Sequence, residues 1–447
     1  MRLKKILLFA FALSSLSIGA SKGAVADEPA PPPGDAPPNP EDLLGNIVVV
    51  AGATRPLPRI AVLPSSSWDE EDVIMRSVAR RDLELSGEFE VLSDDDAPEE
   101  AWGARDLDVS IWAKKKVEAL VEARARPLPA EGKVELRARV YLVRHGAAAV
   151  LDKRFLIPAS DLREEAHRIS DLVIGALTGQ NGGFASRMTF VTGMGKLRRV
   201  FTVDADGHDP KPVSPVDEIA VAPAFGRGEE LYWASSAQNG EYRIRTASGK
   251  VVDMPIKGSV YGLAFSRDRS RVAVSIADGS TIKVFVGPDF ASLSPASEVG
   301  MALRPAFTPS GKLAYSGEGR FGQRIYVEDK PISPDGLFAS APTFCNHPDG
   351  VRAVFAVGVG KDTDLVSTDE RGRGMVRLTQ GQGRNGYPSC SPDGRLVAFF
   401  STRTSGEGPG LYVMRLDGGR PKRISTLVGD SLRWDPLPPG RGVEMKN

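Results

Sequence analysis

From Met188 onward the apolar residues fall in short runs separated by turn residues, and the runs repeat. The clearest unit is Tyr387-Pro388-Ser389-Cys390-Ser391-Pro392-Asp393-Gly394-Arg395-Leu396-Val397-Ala398-Phe399-Phe400-Ser401. It reads as a buried strand, a tight turn in which Pro392 pre-sets φ and Gly394 supplies a positive one, and a second apolar strand. Aligning degenerate copies on the residue that closes the first strand gives Phe225, Phe265, Phe307, Phe344, Cys390 and Trp434, spaced by 40, 42, 37, 46 and 44 residues. Short strands at that period are propeller blades. Third and fourth strands follow in places, as in Leu411-Tyr412-Val413-Met414 and Lys422-Arg423-Ile424. Six anchors predict six blades, but after Trp434 only the proline-rich residues 435–447 remain. The segments 188–191, 200–204 and 211–213 supply three strands with no anchor before them. The last anchor strand is therefore expected to close the ring with these three, which removes the open edge.

The pattern before residue 183 is different. Residues 59–63 and 89–92 read as strands, and 69–85 as a helix with Val73, Ile74, Val78 and Leu83 on one side, ended by Ser86-Gly87. A short helix is expected over 106–115, and strands over 117–125, 134–142 and 150–156. A second helix follows over 161–177, with Ser160 as N-cap and Gly179 beyond its end. Asn46-Ile47-Val48-Val49-Val50-Ala51 is a further β-rich run. The fold class expected is thus a small α/β amino-terminal domain with a mixed sheet, followed by an all-β six-bladed β-propeller.

The chain opens with Met1-Arg2-Leu3-Lys4-Lys5, an apolar run over 6–13 and Ala24-Val25-Ala26. This is the pattern of a secretory signal peptide cut after Ala26, and the run is too short to span a bilayer. No cysteine stands near the cut, so no lipid anchor is expected, and the mature chain is expected to be soluble. Residues 27–45, rich in Pro, Ala and Asp, read as an extended polar tether unable to build a core. Removing residues 1–26 takes the balance from 57 basic against 57 acidic side chains to 53 against 57, a net of −4. A mildly acidic exported chain is a poor nucleic-acid binder. Its length suits two domains: 46–182 and 183–440, with a tail over 441–447. Cys345 and Cys390 lie on or beside anchors of adjacent blades. An oxidising compartment permits a disulfide, but spacing alone does not fix its geometry, and the expectation is two buried thiols.

The residue types that carry catalysis do not assemble. His145, His167, His208 and His347 are scattered, with no partner at metal-ligand spacing, so neither metal nor cofactor is expected. Gly429-Asp430-Ser431-Leu432-Arg433 lacks the closing glycine of a nucleophile elbow. Gly193-Met194-Gly195-Lys196 lacks the spacing of a phosphate loop. The Asp-Gly pairs at 206–207, 278–279, 349–350 and 393–394 have turn spacing rather than that of a calcium loop.

The leader, the α/β domain and a six-bladed propeller with the S-P-D-G-x-L-x-A-F repeat, clearest at 391–399, together with Leu411-Tyr412-Val413-Met414-Arg415-Leu416-Asp417-Gly418-Gly419, resemble the TolB family, periplasmic components of the Tol-Pal system. Ala176-Leu177-Thr178-Gly179, Gly183-Phe184-Ala185-Ser186-Arg187 and residues 46–53 add to the likeness. The resemblance implies a non-enzymatic periplasmic monomer that inserts into no membrane. Its implied partners are Pal, the peptidoglycan-associated lipoprotein, at the propeller channel mouth, the inner-membrane-anchored TolA at Asn46, Ile47, Val48, Val49 and Val50, and outer-membrane lipoproteins more widely. The implied roles are outer-membrane integrity, envelope constriction during cell division and protein import. The mouth is expected to carry Asp217, Glu218, Ser259, Tyr261, Met301, Leu303, Arg304, Asn385, Tyr387, Asp430 and Arg433. Two departures stand out: the proline-rich extension before Asn46, and Ser259 and Leu303 where the family has histidine and threonine. The competing reading is the propeller of an exported peptidase-like or glycan-binding protein.

Overall fold

The computed structural model describes residues 39–44, 56–102, 106–193, 197–237 and 240–445. The leader, most of the tether and Asn46–Val50 lie outside the described residues. Six sheets form the propeller, each built outward from an inner strand: Glu218–Phe225, Ser259–Phe265, Leu303–Phe307, Ala339–His347, Asn385–Cys390 and Asp430–Pro436 for blades one to six. The anchors close these strands or stand within three residues of their ends. Blades two to six have four strands and blade one has three. Asp430–Pro436 pairs antiparallel with Ser186–Thr192, placing Trp434 opposite Met188, so the last inner strand closes the ring as expected.

The turn chemistry of the repeat is visible at Ser391–Gly394. Gly394 takes φ +77° and donates its N–H to the Ser391 carbonyl at 2.9 Å, and a Cβ there would sit 2.2 Å from the Asn346 carbonyl oxygen of the neighbouring blade. Glycine is therefore required both for its conformation and for blade-to-blade approach.

The amino-terminal domain is a mixed sheet covered by two helices. Its strands are β1 (Arg59–Val62), β2 (Glu90–Val91), β3 (Ala119–Leu128), β4 (Lys133–Leu142) and β5 (Ala149–Pro158). The helices are α1 (Pro40–Leu44), α2 (Glu70–Ser86), α3 (Val109–Lys114) and α4 (Leu162–Thr178). α2 and α4 bury Met75, Val78, Leu83, Ile169 and Val173 against the β3–β4 face. Gly87 at φ +66° and Gly179 at φ +87° end them. Ser160 does not cap α4. Its hydroxyl donates to Asp161 Oδ1 at 2.8 Å, and Asp161 itself precedes the helix.

Three expectations are corrected. Cys345 and Cys390 form a disulfide, with Cα atoms 5.2 Å apart. Inner strands of adjacent blades converge on the axis, which brings together side chains 45 residues apart in sequence. The tether does contribute to a core: α1 docks on blade four, where Leu44 is buried with Ile332, Leu337 and Phe355, and Glu41 pairs with Arg377 at 2.8 Å. Arg377 is buried and already bound to Asp364 at 2.5 Å, so Glu41 adds a second carboxylate to a guanidinium that burial has stripped of water. The third correction concerns the tail. Val443–Glu444 adds to the amino-terminal sheet beside β5, pairing with Leu156 and Phe155, and Arg441 binds Asp161 while its N–H donates to Glu165.

Charged groups fill the interface between the two domains. Asp82 of α2 and His167 of α4 are fully buried, with Nδ1 donating to Asp82 Oδ2 at 2.7 Å. Arg163 reaches from α4 to Asp204 at 2.9 Å and Asp206 at 2.5 Å on the propeller. Asp82, His167 and Asp206 converge within 4.8 Å, close enough to hold a cation, but the Arg163 guanidinium already neutralises Asp206 there. Burial works against the imidazolium, yet Asp82 and Asp206 outweigh it and raise His167 to about 9. Burial raises Asp171, on the same helix, to about 7, although it accepts the N–H groups of Phe184 and Ala185. Both folded values exceed their unfolded ones. Each group therefore stabilises the fold below its unfolded pKa, and that contribution is lost as pH rises, through about 7 for Asp171 and about 9 for His167. The expected result is a melting temperature that falls between pH 6.5 and 9.5, with a shallower fall in His167→Gln. Parallel pH profiles for the two proteins would remove His167 from this account.

Candidate partner-binding site in the propeller channel

Each inner strand breaks register with its neighbour once, near Val221–Ala224, Val260–Gly262, Leu303–Ala306, Ser340–Thr343, Gly386–Ser389 and Asp430–Arg433. These are β-bulges, which turn a side chain out of the ladder and re-aim it. In five blades a non-glycine residue there is left-handed: Ala222 at φ 50°, Arg304 at 53°, Ala341 at 55°, Tyr387 at 55° and Ser431 at 56°. Such a backbone costs of order 1 kcal/mol or more per residue, so a ring of five marks where the fold tolerates strain to place side chains. In four blades the next residue is proline, two positions before the anchor: Pro223, Pro305, Pro342 and Pro388. Proline has no N–H to give the ladder, so it belongs where pairing is broken. That spacing was readable in the sequence and is the signal that would have located the bulges.

The bulges line a small cavity of about 30 Å³ within the channel, with Tyr261, Arg304, Tyr387 and Arg433 on its wall. The Arg304 guanidinium lies 4.4 Å over the Tyr387 ring and donates to its hydroxyl at 3.2 Å. Arg433 donates to the carbonyls of Leu263 and Pro305 at 3.3 and 3.1 Å. Burial, with the like charge of Arg304 adding to it and Asp435 opposing, lowers Arg433 to about 10, so it stays charged at neutral pH. Neither guanidinium has a carboxylate within ion-pair distance among the described residues. Two positive charges in a narrow channel favour an anionic visitor.

The structure divides the expected mouth residues into three groups. Tyr261, Arg304, Tyr387 and Arg433 come together in the channel. Asp217 and Met301 are exposed and Leu303 is half-buried on the loops leading into the inner strands. The remaining four are buried and bonded internally. Glu218 accepts from Ser235 at 2.7 Å and pairs with Arg245 at 3.1 Å, and Asp430 pairs with Arg198 at 2.8 Å. Asn385 donates to the Thr363 carbonyl at 3.2 Å, and the Ser259 hydroxyl accepts the Tyr242 N–H at 3.4 Å. Sequence reasoning missed Ala222, Ala341 and Ser431, whose small side chains gave no chemical signal.

Residues 45–148 match the family described as the TolB amino-terminal domain. The whole architecture superposes on the crystal structure of TolB from Acinetobacter baumannii with a TM-score of 0.70 at 20% identity, covering 86% of this chain and 98% of that one. The chain is similar to TolB in the sequence of its amino-terminal domain and in its fold. A protein named Tol-Pal system protein TolB from Albidiferax ferrireducens is 29% identical over 194 residues, which are 43% of this chain and 45% of that relative. Another of the same name, from a Polaromonas species, is 31% identical over 160 residues, covering 36% of this chain and 37% of the relative. The chain thus spans less than half the length of these curated relatives in the matched stretches. At 20% identity the structural likeness speaks for the fold alone.

Proposed function

We propose that the chain is a non-enzymatic periplasmic component of a Tol-Pal-type envelope system. On this reading residues 1–26 direct export and are removed, 46–182 and 183–440 are the working domains, and the propeller channel binds Pal. Residues 46–50 bind TolA, and the assembly supports outer-membrane integrity, envelope constriction at division and protein import. The observation that carries the proposal is the ring of bulges, strained at Arg304 and Tyr387, that brings these two side chains and Tyr261 to one cavity in the channel. Aromatic and arginine side chains dominate binding energy at protein interfaces, and a channel where six blades converge lets several segments grip one inserted group. Arg304 stacked on Tyr387 is held ready for an acidic or hydrogen-bonding side chain, so little ordering remains to be done on binding.

Tyr261→Ala, Arg304→Ala and Tyr387→Ala together are expected to weaken Pal binding by well over about tenfold. The melting temperature should stay near wild type, because these side chains face the cavity. Titrating purified Pal against both proteins by calorimetry measures this, and unchanged affinity would place the partner site elsewhere.

A further inference from the structure

The other end of the channel, beside the amino-terminal domain, holds a larger cavity of about 200 Å³. Five anchors, Phe225, Phe265, Phe307, Phe344 and Trp434, give it an aromatic wall. Its charges are unbalanced: Arg267, Arg269 and Arg433 face one carboxylate, Asp435, which is already paired with Arg269. Arg267 reaches only the Pro392 carbonyl, at 3.4 Å, and Arg433 only the two carbonyls named above. Neither has a carboxylate partner among the described residues. Arg433 borders both cavities and forms the partition between the two ends of the channel.

We propose that this cavity binds a carboxylate carried on a small apolar or aromatic body. Arg433 takes the carboxylate, since a guanidinium fork matches its two oxygens and a dry setting strengthens charge-assisted hydrogen bonds. The aromatic wall takes the body. A fully hydrated anion such as phosphate would leave that wall unused, and a neutral apolar group would leave the Arg433 guanidinium without a counter-charge in the channel, while Arg267, at the exposed rim, draws the anion in. The volume is below the roughly 300–1,000 Å³ of drug-sized sites, so the ligand is about the size of one amino-acid side chain with its carboxylate. This site shares Arg433 with the partner surface, but Arg267 and the aromatic anchors lie at this end only.

The test is titration of the full mature chain by calorimetry and protein-observed NMR with phenylacetate, its neutral isostere phenylacetamide, and acetate. Phenylacetate is expected to bind with a Kd of about 1–10 mM. Phenylacetamide and acetate should each bind at least about tenfold more weakly, as should phenylacetate to Arg433→Gln or Arg267→Gln. If Arg433→Gln does not fold, Arg267→Gln and the acid-to-amide comparison decide the matter on their own. Gly-Gly-Phe with a free C-terminus identifies the source: tighter binding than phenylacetate assigns the carboxylate to a peptide terminus, and weaker binding to a free acid. Equal binding of phenylacetate and phenylacetamide, or no saturation by phenylacetate or the peptide at about 20 mM, overturns the proposal. Pal titration against Arg267→Gln should be unchanged, which keeps this outcome independent of the partner reading.

Discussion

A chain ending at Asp430 should fail to hold its fold, and Trp434→Ala should lose about 3–5 kcal/mol of stability. Trp434 is 6% exposed, packs in the central cluster with Met188, Phe190 and Leu432, and donates its indole N–H to Ser186 Oγ at 2.7 Å. Alanine would leave a cavity and take away the donor to the Ser186 hydroxyl, which keeps only its own bond to the Gly183 carbonyl. Truncation costs more than the side chain. It removes the inner strand of blade six, leaves the Ser186–Thr192 edge open, and deletes the strand Val443–Glu444 that completes the amino-terminal sheet. Urea melts followed by far-ultraviolet circular dichroism would measure both proteins. A truncated chain with the wild-type midpoint would mean that the ring does not depend on this closure.

Removing the Cys345–Cys390 bridge should cost about 2–4 kcal/mol. The bond closes a loop of 45 residues, which spans the three outer strands of blade four and the inner strand of blade five. In the chain-entropy account, cross-linking a loop of that length disfavours the unfolded ensemble by about 4 kcal/mol at 25 °C. The bridge also staples two inner strands that otherwise meet only through side chains, with Val354, Val397 and Phe399 packed around Cys345. Cys345→Ala combined with Cys390→Ala should lower the urea midpoint, and wild type kept in reductant should follow it. If the double variant and oxidised wild type unfold together, the bridge adds nothing.

The blades were legible because a Ser-Pro-Asp-Gly turn and an apolar strand carry their own local chemistry at each repeat, and ring closure followed from counting strands. The helices at 70–86 and 162–178 were legible for a similar reason, since their periodicity and terminal glycines are local. What escaped was set by distance in the chain. Glu41 gives no hint that its partner is Arg377, and Val443 reads as a tail until the free edge of β5 is in view. The channel was half legible. Tyr261, Arg304 and Tyr387 stood out by residue type, whereas Glu218, Asn385 and Asp430 have equally polar side chains that turn inward to satisfy neighbouring strands. Polarity alone does not separate a rim from a buried network. The proline two positions before the anchor does mark which side chain is re-aimed.

The strap of residues 437–444 also sets how the molecule carries tension. The propeller is joined to the amino-terminal sheet by two routes: the covalent link from α4 into Ser186, and the return from Pro436 through Arg441 to Val443, which holds the sheet by pairing with β5. Ser186 and Pro436 are paired neighbours at one end of blade six. A pull between the domains therefore loads both strands of that closing ladder at the same end and in the same direction. The load moves the blade as a unit and does not slide one strand past the other. Force reaching β1 from the amino terminus meets a different geometry, since β1 lies between parallel neighbours β2 and β3 and must shear their hydrogen bonds together. The closing ladder is thus loaded along both of its strands together, while force from the amino terminus falls on α1 at blade four before it reaches β1.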